Sequence, residues 1–467
     1  MLAPHVGRVV QEDAHHVQKN VQAVVAENAK VHVKGNVAII VKVVVVEDVA
    51  GKVNIQAVGK HMLEIKELQE SWKSGESKNI TFIVTKDCQL ACKYCYLVGK
   101  NEKERMPWEI AKAAIDYVLD REQDSDFAYE SVIWDFIGGE PFLEIDLINT
   151  ICDYIKTELF RRNHHWFNSY RFSFSTNGIN YDSDKVQRFI EKNKGHLSIG
   201  ITIDGTKSKH DLNRVYKNSG RGSYNDVARN IPLWLKQFPN ASTKVTVSSL
   251  DIPYIAESVL HLYGLGIHDV HINCVFEDVW QEGDDKLFEE QLMQLADIII
   301  EQDLYTENTC SFFSERLGKP MDCKLQNGNW CGSGKMLAVD AMGNFYPCTR
   351  FAQYSLRDKE AWIIGNVHDG IDKNKLRPFL TLDRCTQSTP ECINCDVAEG
   401  CAWCQGENFD AAKTHTVFER ATAICKMHKA RVRANNYYWN KLYRKLELEG
   451  KREEFEANKK EVLTEIC

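Results

Sequence analysis

The sequence has no stretch approaching the roughly 18 consecutive uncharged apolar residues that a membrane-crossing helix requires. Its longest apolar run, Val37 to Val46, is interrupted by Lys42 and reads as a strand. The first twenty residues carry no apolar signal-peptide region, because Glu12, Asp13 and several histidines stand there. An excess of positive charge is also missing: 58 Lys and Arg against 66 Asp and Glu give a net charge of −8. General binding to nucleic acid or to an anionic membrane is therefore excluded. The expectation is a cytoplasmic protein that meets its partner at a local site. Nor is apolar material scarce, since 43% of residues are hydrophobic, which excludes a mainly disordered chain. A length of 467 residues suits two or three domains, or one barrel with additions.

What is abundant is cysteine. Sixteen are present, and a reducing cytosol makes eight structural disulfides a poor explanation, which leaves metal or iron-sulfur ligation in front. Their clustering supports this. Cys88, Cys92 and Cys95 sit together early, and ten more fall between Cys310 and Cys425.

Residues 1 to 78 are rich in Val and His, with strand-like runs at Val31 to Val33, Val37 to Val46 and Val53 to Val58 and a helical pattern from Met62 to Trp72. They read as a small α+β module, followed by the linker-like Ser74 to Ser77. Residues 79 to 305 then alternate strand and helix. Strands are expected at Thr81 to Thr85, Val132 to Ile137, Arg171 to Ser175, Leu197 to Ile203, Lys244 to Ser248 and Val270 to Val275. Helices are expected at Trp108 to Leu119, Leu147 to Phe160, Ser183 to Glu191, Tyr224 to Leu235 and Ile255 to Leu265. Six such units argue for an α/β fold with a parallel sheet, either an open barrel or a doubly wound sheet. Chemistry gathers at the C-terminal strand ends of such folds. A helical stretch from Lys286 to Asp303 leads into a cysteine-rich segment, 306 to 425, and residues 426 to 467 read as capping helices.

Directly after the first of these strands stands Cys88-Gln-Leu-Ala-Cys92-Lys-Tyr-Cys95. Three thiolates on one loop can hold three irons of a cubane cluster and leave the fourth open, whereas a structural zinc site wants a fourth protein ligand nearby. The spacing, with Tyr94 before the third cysteine, resembles the signature of the radical S-adenosylmethionine (radical SAM) family. The resemblance implies a partial (β/α)6 barrel whose cluster chelates S-adenosylmethionine and, once reduced, splits it to a 5′-deoxyadenosyl radical. Gly138-Gly139-Glu140-Pro141, at the end of the second strand, looks like the family's GGEP motif, whose backbone and Glu contact the methionine amino group. Two glycines admit close backbone approach, and a carboxylate suits an ammonium. Ser175-Thr176-Asn177-Gly178 and Thr202-Ile203-Asp204-Gly205, with His210, Asp211 and Arg214, resemble further family stretches. They make Ser175, Asn177, Thr202, Asp204 and Arg214 candidates for cofactor contacts, against a plain reading as helix caps and surface salt bridges. Thr202 stands where Ser is usual.

Downstream, Cys331, Gly343 and Cys348, then Cys392-x2-Cys395-x5-Cys401-x2-Cys404 and Cys425, resemble the seven-cysteine SPASM domain, although Cys404 comes one residue early. The second half alone would also fit a zinc knuckle. The resemblance implies two auxiliary [4Fe-4S] clusters, for three in all. Cys331, Cys348 and Cys404 would serve the first, with Cys323 as its natural fourth ligand. Cys392, Cys395, Cys401 and Cys425 would serve the second. Without Cys323, the first cluster would have an open iron able to take a substrate thiolate. Cys152, Cys274 and Cys467 read as unliganded thiols, and Cys310 and Cys385 have no assigned role.

Sulfatase-maturing members carry an Asp after the cysteine that matches Cys348; here it is Thr349, which cannot act as a base near neutral pH. The expected function is therefore a peptide maturase of the RiPP type that installs thioether crosslinks in a precursor peptide. The region around Cys88 resembles, more loosely, maturases of Cys-x-x-x-repeat targets. The alternatives are formylglycine formation and a non-catalytic iron-sulfur carrier. The expected partners are a leader-bearing precursor peptide, which residues 1 to 78 could recognise by strand addition, and an electron donor such as flavodoxin or ferredoxin.

Overall fold

The computed structural model describes the backbone of residues 21–25, 29–32, 38–41 and 44–48, and residues 77–100, 102–323 and 331–457 with their side chains. The chain divides into two units, Met1–Ser71 and Trp72–Cys467.

In the first unit, β1 (Val21–Val25) pairs antiparallel with β4 (Val44–Asp48), and β2 (Ala29–His32) with β3 (Ala38–Val41). The run from Val37 to Val46, expected as one strand, is thus divided between two pairs. The expected strand Val53 to Val58 and helix Met62 to Trp72 lie outside the described residues.

The second unit is built on β5 (Ser77–Thr85), β6 (Ser131–Gly138), β7 (Tyr170–Thr176) and β8 (Leu197–Ile201), parallel neighbours in sequence order. β9 (Thr243–Val247) and β10 (Asp269–Cys274) continue the series, and β10 also pairs with β11 (Thr309–Cys310). All six expected strands are present. They form two ladders, however: β8 and β9 are joined through the Thr243 hydroxyl, which donates to Ile201 O at 2.8 Å and accepts from Ile203 N at 3.2 Å.

The strands alternate as a sheet with one buried face should. Val132, Trp134, Phe136, Phe172, Phe174, Ile199 and Ile201 are buried toward the helices, in one core with Ile115, Ile148, Ile151 and Ile155. The residues between them, Asp135, Arg171, Ser173 and Ser175, lie on the opposite face and are polar. Asp135 feels Lys244 of β9, so this face looks across the barrel interior.

The helix Trp108–Leu119 falls where the sequence puts it, and Ile145–Arg161, Asp184–Lys192, Ile255–Gly264 and Asp284–Glu301 lie within two residues of expectation. The stretch expected as one helix, Tyr224 to Leu235, is two, Tyr224–Ala228 and Ile231–Gln237. Pro232 has no N–H to continue the first, and Asn230 turns its side chain back onto Gly178 O at 2.8 Å.

The cysteine-rich region joins the barrel's own sheet. β12 (Leu337–Val339) runs parallel to β5 and is followed by antiparallel β13 (Asn344–Tyr346), β14 (Gly365–Asn366) and β15 (Gly370–Ile371). Lys78 of β5, 3% exposed, donates to Lys335 O at 2.6 Å across this junction. The C-terminal helix Cys425–Leu448 packs beside Asp284–Glu301, with Tyr437 and Lys441 both on Asp297 at 2.6 Å. Exposed ion pairs contribute little. Burial of Leu442, Leu446, Ile299 and Ile300 in the common core supplies more of the attachment.

Candidate functional site

Cys88, Cys92 and Cys95 lie on the loop that leaves β5. The loop is pinned on one side by the chain after β8: Ala91 N donates to Val215 O at 2.8 Å and Lys93 N to Asn213 O at 3.1 Å. On the other side Gly99 N donates to Tyr354 O at 3.0 Å, in the cysteine-rich region. Within it, Leu90 N donates to the Cys88 sulfur at 3.3 Å. Burial, with help from Glu140, pushes the Cys88 thiol up to about 11, and burial likewise raises Cys92 against the pull of Arg214 and Lys100. Thiols held protonated this way shed protons when they take a metal.

Gly138 and Gly139 are required by contact. A Cβ on Gly139 would stand 2.1 Å from Asp87 O, and one on Gly138 2.1 Å from Thr85 O. Their backbones press on the cysteine loop, with Gly139 N on Thr85 O and Glu140 N on Asp87 O, both at 2.9 Å. Glu140, 1% exposed, then ties three elements together. Its Oε1 accepts from Thr176 Oγ1 at 2.6 Å and Phe142 N at 3.1 Å, and its Oε2 from Asn177 N at 2.7 Å. Any contact of this carboxylate with a ligand ammonium is shared with three internal donors. Pro141 opens the 3-10 turn Pro141–Glu144 that Glu140 caps. Asn177 donates to Gln89 Oε1 at 3.0 Å and lies 3.9 Å from the Cys88 sulfur.

Tyr94, Asp204 and Arg214 form one hydrogen-bonded set. Tyr94 donates to Asp204 Oδ2 and accepts from Arg214 Nη1 at 3.0 Å, while Asp204 Oδ1 accepts from Thr246 N at 3.1 Å. Burial alone would raise the Asp204 carboxyl, but Lys209, Arg214 and His210 hold it below its ordinary value. Arg214 is 7% exposed, and its Nε has no hydrogen-bond partner among the described residues. A buried guanidinium with a donor to spare beside Cys92 fits an anionic ligand. Ser175 is exposed at the end of β7, and Thr202, half-buried, donates its N–H to Thr176 O at 3.0 Å.

The later cysteines gather in two groups. Cys348 feels both Cys404 and Cys331, and burial pushes its thiol up to about 12. Cys392, Cys395, Cys401 and Cys425 line one cavity of about 660 Å³, where Arg420 donates to the Cys401 sulfur at 3.0 Å. Four thiols around one cavity suit an iron-sulfur cluster, whose ligands stand farther apart than those of a single ion. Cys323, expected as the fourth ligand of the first group, is instead disulfide-bonded to Cys385, with a Cα–Cα distance of 5.9 Å. A sulfur so bonded has no thiolate to offer. Of the thiols expected to be unliganded, Cys152 is buried, Cys274 is half-buried and Cys467 lies outside the described residues; Cys310, which has no assigned role, is buried.

Between Cys95 and the group of Cys331, Cys348 and Cys404 lies a connection that no sequence motif marks. Tyr96 feels both Cys95 and Cys348, and the Arg350 guanidinium stands 4.6 Å over its ring. A cavity of about 490 Å³ opens beside them, lined by Cys95, Tyr96, Leu250, Glu277, Ser355 and Arg357 among others. Glu277, just past β10, pairs with Arg350 Nη2 at 2.8 Å. No motif marks Glu277 or Arg350; only the fold brings them here.

This barrel, with its three-cysteine loop and its cysteine-rich extension, has the fold of solved enzymes that bind S-adenosylmethionine, and its cysteine-rich region is consistent with a SPASM domain. Among known proteins, residues 74–228 match the family described as a 4Fe-4S single cluster domain. The chain is 27% identical over 302 residues to an uncharacterized protein of Methanocaldococcus jannaschii, covering 64% of this chain and 91% of that one. It is 23% identical to a serine-type anaerobic sulfatase-maturating enzyme of Bacteroides thetaiotaomicron, covering 67% of this chain and 78% of that enzyme. The solved structure of native anSMEcpe with bound AdoMet superposes with a TM-score of 0.58 at 20% identity, over 78% of this chain and 98% of that one. The protein is thus similar to radical SAM maturating enzymes. No helix among the described residues is long and apolar enough to cross a membrane.

Proposed function

We propose that the protein is a radical SAM maturase that oxidises a cysteine-containing peptide and leaves the cysteine sulfur bonded to carbon as a thioether. The observation that carries this reading is the cavity beside Cys95. It is walled by barrel residues on one side and by Ser355 and Arg357 of the cysteine-rich region on the other.

Cys88, Cys92 and Cys95 would hold a [4Fe-4S] cluster, which with bound S-adenosylmethionine supplies a 5′-deoxyadenosyl radical. Arg214, fixed by Tyr94, is suited to the cofactor's carboxylate. Gly138 to Pro141 would border its amino group, and Ser175, Asn177, Thr202 and Asp204 would border the rest. Cys331, Cys348 and Cys404 would hold one auxiliary cluster and Cys392, Cys395, Cys401 and Cys425 a second. With Cys323 engaged by Cys385, a cluster at Cys331, Cys348 and Cys404 would have three protein ligands and could take a substrate sulfur as a fourth. The strand pairs of the first unit offer edges to which a leader peptide could add. A reducing partner such as flavodoxin or ferredoxin completes the proposal.

A second reading, oxidation of Cys or Ser to formylglycine, is supported by the similarity to a serine-type anaerobic sulfatase-maturating enzyme. Anaerobic co-expression with a small cysteine-containing peptide encoded beside the gene separates the two by mass spectrometry. Loss of two hydrogens per crosslink with alkylation-resistant cysteines supports the thioether; a new aldehyde supports formylglycine.

A further inference from the structure

We propose that Glu277 is the catalytic base that receives the proton released when the substrate side chain is oxidised. The inference rests on the peptide-oxidising function proposed above and deepens it.

Both readings of that function remove the same three particles. A hydrogen atom leaves carbon and goes to the 5′-deoxyadenosyl radical, which becomes 5′-deoxyadenosine. One electron goes to an iron-sulfur acceptor. A proton leaves the cysteine sulfur or serine oxygen as that atom forms its new bond to carbon, and this proton needs a base. Thr349 cannot serve, because a threonine hydroxyl does not take protons near neutral pH.

The other carboxylates around the radical trio are engaged. Glu140 accepts three internal hydrogen bonds. Asp204 is held by Tyr94 and Thr246 N. Glu407, 4% exposed, is divided between Arg350 and Arg357. Glu277 is engaged on one oxygen only. It is the one carboxylate among the residues lining the cavity that also holds Cys95. Its side chain is 19% exposed. Its Oε1 accepts from Arg350, and Oε2 has no hydrogen-bond partner among the described residues. Arg350 also donates its backbone N–H to the Cys348 sulfur at 3.4 Å, and the Cys404 thiol acts on its charge. Protonation of Glu277 would release the Arg350 charge from its carboxylate, and a cluster held by Cys331, Cys348 and Cys404 would, once reduced, add negative charge on the other side of the same guanidinium.

The test uses the full chain, reconstituted anaerobically with iron, sulfide, S-adenosylmethionine and dithionite, and synthetic peptides with a single central Cys or Ser. Product peptide is measured against 5′-deoxyadenosine for the wild type, Glu277→Gln and Glu277→Asp, with iron and sulfide content as the check on folding. A general base contributes about 10² to 10⁴-fold. Glu277→Gln should therefore lower the ratio of product to 5′-deoxyadenosine at least about 100-fold, with Glu277→Asp recovering part of it and all three proteins loading equal iron. An unchanged ratio in Glu277→Gln, beside a wild type that converts peptide, overturns the assignment alone. A wild type that makes 5′-deoxyadenosine but converts no peptide overturns the peptide-oxidising function, and the base assignment with it.

Discussion

The phenol oxygen of Tyr94 accepts a hydrogen bond from Arg214 at 3.0 Å, and so a residue inside the cysteine motif fixes a guanidinium that arrives 120 positions later in the chain. Removing that oxygen leaves Arg214 buried with one fewer partner. Tyr94→Phe should raise the KM for S-adenosylmethionine about 10-fold, the worth of one hydrogen bond to a charged group, with iron content unchanged. Inhibition by S-adenosylhomocysteine, which keeps the carboxylate, should weaken in parallel, and inhibition by 5′-deoxyadenosine, which lacks it, should not.

Gly139 separates two roles of one loop. An alanine there would place its Cβ 2.1 Å from Asp87 O, and backbone cannot yield as a flexible side chain can. Gly139→Ala should cost about 1 to 3 kcal/mol in urea unfolding, by overpacking, and lower iron uptake at the adjacent cysteines. Alanine at Gly195, where nothing lies within 4 Å of a Cβ, serves as the comparison for lost contact, its positive φ still imposing some strain.

Asp135 makes stability depend on pH in an unusual direction. Burial in the barrel interior raises its carboxyl to about 6, against smaller opposing effects of Ser173 and Lys244. The folded state thus binds this proton more tightly than the unfolded state. The resulting stability is complete below the ordinary carboxylate range and is lost as pH rises through about 6. Asp135→Asn should stabilise the protein at pH 8 by on the order of 2 kcal/mol and have little effect near pH 4, measured by thermal unfolding at both.

Cys323 and Cys385 should behave as a pair. Loss of either should destabilise the chain by about 2 to 4 kcal/mol, since their bond closes a long loop, and leave iron content unchanged. Were Cys323 a cluster ligand, Cys323→Ala would lose iron and Cys385→Ala would not.

Much of the barrel was legible because its signals are local. Apolar alternation in β6 and β7 and the 3.6-residue period of Trp108–Leu119 are set by single elements, and the cysteine spacings survive any detail of packing. β5 begins at Ser77, four residues before its expected start, because Lys78 and Asn79 look like loop residues in sequence; Lys78 is buried only because Lys335 O receives it. β12 was not legible at all. Three residues make no period, and its partner is β5, more than 250 positions earlier. The missed site residues have the same origin. Glu277 and Arg350 carry no local pattern, and their meeting is a product of the fold. Cys385 carries no assigned role in the sequence, and spacing does not choose between it and a cluster as the partner of Cys323.

The central claim is that the thiols at the end of β5 support cleavage of S-adenosylmethionine. Its most direct test is to quantify 5′-deoxyadenosine from the anaerobically reconstituted protein with dithionite and S-adenosylmethionine, beside Cys88→Ala, Cys92→Ala and Cys95→Ala. The account predicts 5′-deoxyadenosine from the wild type and none above background from each variant. Equal formation by a variant, or none by a wild type that holds about twelve irons per chain, would contradict it.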